Sequence, residues 1–263
     1  MKQPKITGHM IVQNEEQWVW YAIHSVLPFV EKLFIYDTGS TDKTVSLISS
    51  IKSKKISFQK KGKVTPFELV TLRNEQLQKT TTGWFFLLDG DEVWSRESFC
   101  EQIALIQTVS DNVMGIVVPT YQCVGDIFHL QDNSAGKYRF FGTEGHFNIR
   151  MYRKRKGFSW IGRYPLEAYC NQEKEPIQNN EKQLLLAKNG YFHMSRMYRS
   201  SVDTHAKKAV EQGYLHCKLL PEVFFETRPL FVSSPWISFS PTEKYKVFFR
   251  TPILRLKRLI QAL

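Results

Sequence analysis

Apolar and polar positions along the N-terminal third of the chain follow two alternating periods. Ile6 to Val12 reads as a short strand, and Asn14 with Gln17 predicts a capping-box start for a helix carrying Val19, Ala22, Ile23 and Val26 on one face. Leu33 to Tyr36 is a compact apolar run that halts at Asp37-Thr38-Gly39-Ser40-Thr41-Asp42, so a strand meets a turn there. Val45, Ile48 and Ile51 mark a helical stripe, Lys55 to Gln59 a strand, and Phe67 to Lys79 a second helical stripe through Leu69, Leu72 and Leu77. Trp84 to Leu88 is apolar throughout and stops at Asp89-Gly90-Asp91-Glu92. This alternation predicts an α/β fold, a mostly parallel sheet with helices on both faces.

The pattern loosens after Glu92. Residues 99–109 have helical period, Val113 to Pro119 reads as a strand, and residues 120–165 mix glycine, aromatic and basic residues as loops and short antiparallel strands do. Gln172 to Glu181 is expected to be a loop, and Leu184 to Leu186 and Tyr191 to His193 are expected to be strands. Residues 203–219 are expected to form a helix, and Thr251-Pro252 is expected to open a short final amphipathic helix. No internal repeat is visible.

Composition narrows the class. The 263 residues suit one large domain or a domain with an appendage, and 42% hydrophobic with 23% charged residues excludes wholesale disorder. Cys100, Cys123, Cys170 and Cys217 are widely spaced, which argues against a zinc site or a disulfide framework and favours reduced thiols. Neither a leader peptide nor a membrane-spanning run is expected from the pattern. The formal charge of +11 gathers in clusters at 52–63, 150–163 and 244–258. Polyanions are therefore plausible partners, but no nucleic-acid-binding signature accompanies the clusters, so nucleic acid is not expected.

In an open parallel sheet, ligands collect beyond the carboxyl ends of the strands. Asp37 and the Asp89/Asp91 pair both stand at such ends. Alternate residues of an extended segment face one side, so Asp89 and Asp91 can converge on a hard cation such as Mg²⁺ or Mn²⁺, with Gly90 admitting close approach. An acidic turn that merely ends a strand is the competing explanation at 89–92. At 37–42 a turn followed by a helix cap explains every residue.

On these residues the chain resembles the family 2 glycosyltransferases of GT-A fold: ITGHMIVQNEE, LFIYDTGSTDKT and FELVTLRNEQLQKTTTGWFFLLDGDE match in order, and NIRMYRKRKGFSWIG and NGYFHMSRMY match more weakly. The resemblance implies a Rossmann-like nucleotide-binding half over 1–95 and a less regular acceptor half over 96–200, and the helical pattern beyond it adds a helical extension over 201–263. It also implies roles. Asp37 would contact the nucleobase or ribose, Arg73 and Asn74 would border the nucleotide, Asp89 would brace the ribose or donor sugar, and Asp91 with His193 would hold the metal. Where relatives carry His-Glu on the acceptor side, this chain reads Gly162-Arg163-Tyr164-Pro165-Leu166-Glu167. Glu167 is the first candidate base, with Asp126 and Glu144 behind it.

The reading that follows is a Mn²⁺- or Mg²⁺-dependent inverting glycosyltransferase, moving a sugar from a nucleotide-sugar donor to a hydroxyl of a glycan, lipid-linked glycan or protein, in surface-glycan synthesis. Arg153 and Arg163 are candidate phosphate contacts. A nucleotidyltransferase and a non-catalytic sugar- or lipid-binding subunit are the rivals; a haloacid-dehalogenase-type phosphatase would need a later acidic pair that the chain lacks. The expected location is cytoplasmic, with peripheral contact at the inner face of the plasma membrane. The last helix either lies on that anionic surface or packs on the domain with its basic face in water.

Overall fold

The structure is a computed structural model that describes residues 4–136, 138–202 and 211–261. Its first half is β1 (Ile6–Val12), α1 (Val19–Val26), β2 (Lys32–Asp37), α2 (Thr44–Ser50), β3 (Ile56–Lys60), α3 (Pro66–Lys79) and β4 (Trp84–Leu87). β5 (Glu92–Val93), α4 (Arg96–Thr108), β6 (Gly115–Val124), β7 (Asp126–Leu130), β8 (Tyr138–Phe140), β9 (Thr143–Gly145) and β10 (Phe147–Arg153) follow. β11 (Ser159–Ile161), β12 (Ala168–Cys170), β13 (Leu184–Leu186), β14 (Tyr191–Arg196), β15 (Tyr214–Leu215) and α5 (Pro241–Gln261) complete the order.

Among the described residues, eleven strands form one sheet along the path β15-β7-β6-β10-β4-β1-β2-β3, with β13, β14 and β5 joined at its side. β3, β2, β1 and β4 are parallel. β10 then inserts antiparallel between β4 and β6. This is the α/β sheet that the alternating pattern predicts, mixed beyond β4 where the pattern loosens.

Strand periodicity sorts the core onto two faces. On β4, Trp84 and Phe86 join the cluster built with α1, α2 and α4, whereas Phe85 and Leu87 join the one built with α3 and the β11–β12 hairpin. A strand buried on both faces must be apolar at every position, which is why WFFL shows no alternation. α3 is fixed by the Thr65/Glu68 capping box with Pro66 in its first turn.

Three local expectations are corrected. Asn14 does not cap α1: it adopts φ 54°, and its side chain accepts from the N–H of Thr41, tying the β1–α1 turn to the β2–α2 turn. Of the helix expected over 203–219, residues 203–210 lie outside the described residues. Residues 211–219 are non-helical, because Tyr214 and Leu215 pair with the edge strand β7 and so give their backbone groups partners there. The last helix starts not at Thr251 but at Pro241, where Ser240 and Glu243 cap each other reciprocally, and it runs through Pro252. No helix among the described residues is long and apolar enough to cross a membrane.

Candidate active site

The carboxyl ends of β1, β2 and β4 meet at one edge of the sheet. Val12 lies opposite Asp37 in register, and the Leu88 N–H donates to the His9 carbonyl, so the 37–42 and 89–92 turns flank the end of β1. Gly90 packs against that end. A Cβ there would stand 2.8 Å from both Val12 Cγ2 and Glu15 Cγ, so its missing side chain serves the close approach of two loops rather than the access of a ligand.

Asp37 is buried, and its carboxylate accepts from the N–H groups of Gly39 at 3.1 Å and Ser40 at 3.2 Å, with Gly39 at φ 91°. Asp42 caps the start of α2 through Thr44 N at 2.9 Å.

The second turn is neutralised by side chains from far along the chain. Asp91 is buried, and its Oδ2 stands 3.4 Å from His193 Nε2 and 3.4 Å from Arg199 Nε. Arg199 also pairs with Glu15. β14 delivers His193 because it runs antiparallel to β5, with His193 opposite Glu92. Gln122 on β6 donates to His193 Nδ1 at 2.9 Å and accepts from Ser195 Oγ at 2.9 Å. An amide carries both a donor and an acceptor, so by turning over Gln122 can support either tautomer of the ring.

Asp89 is 39% exposed and accepts from Arg150 at 3.0 Å. The same guanidinium pairs with Glu92 and donates to Tyr191 Oη at 3.1 Å, which also takes Asn148 at 2.9 Å. Burial would raise the Asp89 pKa, but Arg150, then Arg73 and His193, outweigh it and hold the carboxyl below its usual range. Burial pushes Glu92 up to about 7 against the pull of Arg150. At His193 burial favours the neutral ring, yet Asp91 reverses the balance and raises its pKa.

Glu167 sits in the β11–β12 loop, its side chain only 8% exposed. Arg73 Nε donates to its Oε1 at 3.0 Å, while Oε2 is buried without a partner. Arg73 lies over Trp160 at 5.4 Å, and Asn74 is taken up by the Trp160 backbone at 2.8 Å on both sides, so α3 grips the hairpin that carries Glu167. Tyr164 in the same loop has its pKa raised by burial and then by Asp89 and Glu167, which places both carboxylates within electrostatic reach of one phenol.

The structure thus brings Asp37, Asp89, Asp91 and His193 to one edge, with Arg73 and Glu167 close by. It sets the other two candidate bases elsewhere. Asp126 lies at the β6–β7 turn, its Oδ1 taken by Phe128 N, His129 N and His129 Nδ1. Glu144 is exposed on the β8–β9 hairpin opposite Arg139. Arg153 is also removed from the site: it faces Trp84 at the opposite end of β4 and binds Asp111 and the Ser110 and Val113 carbonyls. Arg150, Arg199, Glu15 and Gln122 were not singled out by sequence. The one sequence signal for Arg150 was its place in a basic cluster, which did not mark it off from its neighbours.

Residues 9–171 match the profile of the family described as Glycosyl transferase family 2, which is more than half of the chain. The chain belongs to this family. No curated protein matches the family 2 chain. Among solved structures it is similar to S. aureus TarS, at 14% identity and TM-score 0.46 over 72% of this chain and 36% of that one. The TarS 1–349 structure aligns at 13% identity and TM-score 0.45, over 73% of this chain and 60% of that one. A glucosyl-3-phosphoglycerate synthase from Mycobacterium tuberculosis, in complex with Mn²⁺ and UDP-glucose, aligns at 19% identity and TM-score 0.34 over 46% and 44%. The chain spans less than two thirds of the length of each of these proteins.

Proposed function

We propose that the chain transfers a sugar from a nucleoside-diphosphate donor to an acceptor hydroxyl, with a divalent cation held by Asp91 and His193. The observation that carries this is the pairing of Asp91 Oδ2 with His193 Nε2 at 3.4 Å, at the strand end where a diphosphate would lie. Two neighbouring donors each about 2.1 Å from one octahedral cation stand roughly 3.0 Å apart, so the pair needs to close by only about 0.4 Å to share an ion. Among the described residues no third carboxylate, thiol or imidazole joins them, which leaves the remaining positions to diphosphate oxygens and water. The imidazole favours Mn²⁺ over Mg²⁺.

When bound, the cation neutralises charge developing on the departing diphosphate. The chain's own groups do the rest. Asp37 and its turn border the nucleoside, and Arg150 fixes the Asp89 carboxylate for a sugar hydroxyl. Glu167 takes the acceptor proton at Oε2, which has no hydrogen-bond partner but is buried, so an acceptor reaches it only when the β11–β12 loop shifts. With Glu167 as the one base and no second carboxylate placed as a nucleophile, the site would support direct displacement with inversion. The acceptor hydroxyl belongs to a glycan, a lipid-linked glycan or a protein.

A thermal-shift panel of UDP, GDP, dTDP and CDP, each with and without Mn²⁺, tests the reading. One diphosphate is expected to stabilise the wild type only with metal, and Asp91→Asn is expected to lose that shift. Stabilisation without metal would assign the phosphate charge to Arg199 instead. Glu167→Gln is expected to keep the shift and lower transfer by about 10²- to 10⁴-fold, and unchanged transfer would remove Glu167 as the base.

A further inference from the structure

α5 turns its apolar side away from the protein. An α-helix advances about 100° per residue, so Val247, Thr251, Leu254 and Arg258 fall on one narrow stripe. That stripe attaches the helix: Thr251 is buried and accepts from Gln212 N at 2.7 Å, and Arg258 pairs with Glu211 at 2.8 Å. Phe248, Phe249, Ile253, Leu256, Leu259 and Ile260 occupy an arc of roughly 120–140° on the opposite side. Each is 55% to 66% exposed. Lys246, Arg250 and Lys257 line one edge of the arc, and Lys244 and Arg255 line the other.

Of the two arrangements the sequence allows, a basic face in water with the apolar side packed inward does not hold. Six large apolar side chains in water on one helix form a patch that a soluble surface ordinarily avoids. We propose that α5 lies in the plane of an anionic membrane surface, its apolar arc in the acyl boundary and its two basic edges at the phosphates. Charge decides against a second copy as the occupant. The one acid of the helix, Glu243, caps its first turn, so two such faces brought together would set cationic edges against each other. Long Lys and Arg stems at the edges of an apolar arc reach outward to headgroups, whereas a dry protein groove would have to bury them. The face does not depend on the glycosyltransferase reading, and its test needs no donor.

Flotation of the full chain with phosphatidylcholine vesicles, with and without phosphatidylglycerol, tests the proposal. Binding is expected to the anionic vesicles alone and to be released at about 1 M salt, where the Debye length is about 3 Å. Lys246→Gln/Arg250→Gln/Lys257→Gln is expected to weaken binding roughly a hundredfold, since each cation at an anionic leaflet contributes about a factor of five. Phe249→Ser/Leu256→Ser/Ile260→Ser removes outward groups only, so it is expected to keep the thermal midpoint and lose vesicle binding. Failure of the wild type to float with anionic vesicles overturns the proposal, as does full binding by the serine variant. A wild-type dimer in sedimentation velocity that the serine variant abolishes also overturns it, by giving the face to a second copy.

Discussion

The two acidic turns at the carboxyl edge of the sheet solve the same electrostatic problem in different ways. Asp37 and Asp42 are satisfied mainly by neutral donors nearby, the N–H groups of Gly39, Ser40 and Thr44, with Glu16 N and Ser200 Oγ completing Asp42. Asp89, Asp91 and Glu92 are satisfied by cationic side chains from β10, β14 and the segment after β14. A turn held by its own backbone forms wherever its strand forms. One held by remote cations exists only once the rest of the sheet is assembled, and removing any partner leaves a charge with little water to compensate it.

The largest effect that follows is on stability. Arg150→Met leaves Glu92, fully buried, and Asp89 without their shared cation, and is expected to cost about 3–5 kcal/mol in urea unfolding. Arg150→Lys is expected to recover only part of this, because an ammonium cannot serve Asp89, Glu92 and Tyr191 in one fork. A cost below about 1 kcal/mol for Arg150→Met would mean that water reaches the second turn and that the contrast between the turns is false.

The first turn is expected to respond less. Asp37→Ala frees two N–H groups that stay partly hydrated, so the expected loss is about 1–2 kcal/mol, with weaker diphosphate binding in the thermal-shift panel. A stability cost as large as that of Arg150→Met would place Asp37 in a charge network like that of its neighbour.

The same contrast governs what was legible in the sequence. Elements built from local signals could be read: the all-apolar WFFL of β4, the capped α3, the Asp-Thr-Gly-Ser turn. The approach of Asp91 to His193 was also readable, through the resemblance of the motifs to family 2, whereas Asp89 turns to Arg150 and does not join them. The partners were not, since Arg150 reaches Asp89 only because β10 inserts beside β4, and nothing in the text NIRMYRKRK separates it from Arg153, which β10 carries to the opposite end of the strand. The start of α5 was a missed local signal. Ser240-Pro241-Thr242-Glu243 is a capping box, but Thr251-Pro252 offered a competing start inside the helix.

The smallest effect separates the turns from their shared strand. His9, buried on β1 between them, stacks on Phe85 at 4.7 Å and meets Thr80 Oγ1 at 2.6 Å. The Thr80 hydroxyl donates its one proton to the Gln76 carbonyl, so His9 Nε2 must be the donor to Thr80, and Nδ1 stays bare with no partner. Burial, then Arg73 and Lys154, pull the His9 pKa down to about 3. A histidine with a depressed native pKa contributes stability that is present above its unfolded pKa near 6.5 and is lost as pH falls toward the native value. The loss from this residue is expected to be about 1 kcal/mol between pH 6.5 and 5.5. His24, His146 and His216, also lowered by burial, titrate in the same window, so the readout is the difference between wild type and His9→Phe in urea midpoint against pH. The variant is expected to have the shallower acid limb. Glu75, where Lys61 and Lys79 overcome burial and hold the pKa at about 2, adds its own loss only below about pH 4.3, whereas Glu92, raised to about 7, titrates inside the window and cancels in the same difference. If the two limbs coincide, protonation of His9 is compensated in the native state, and the acid response must be sought in the turns themselves.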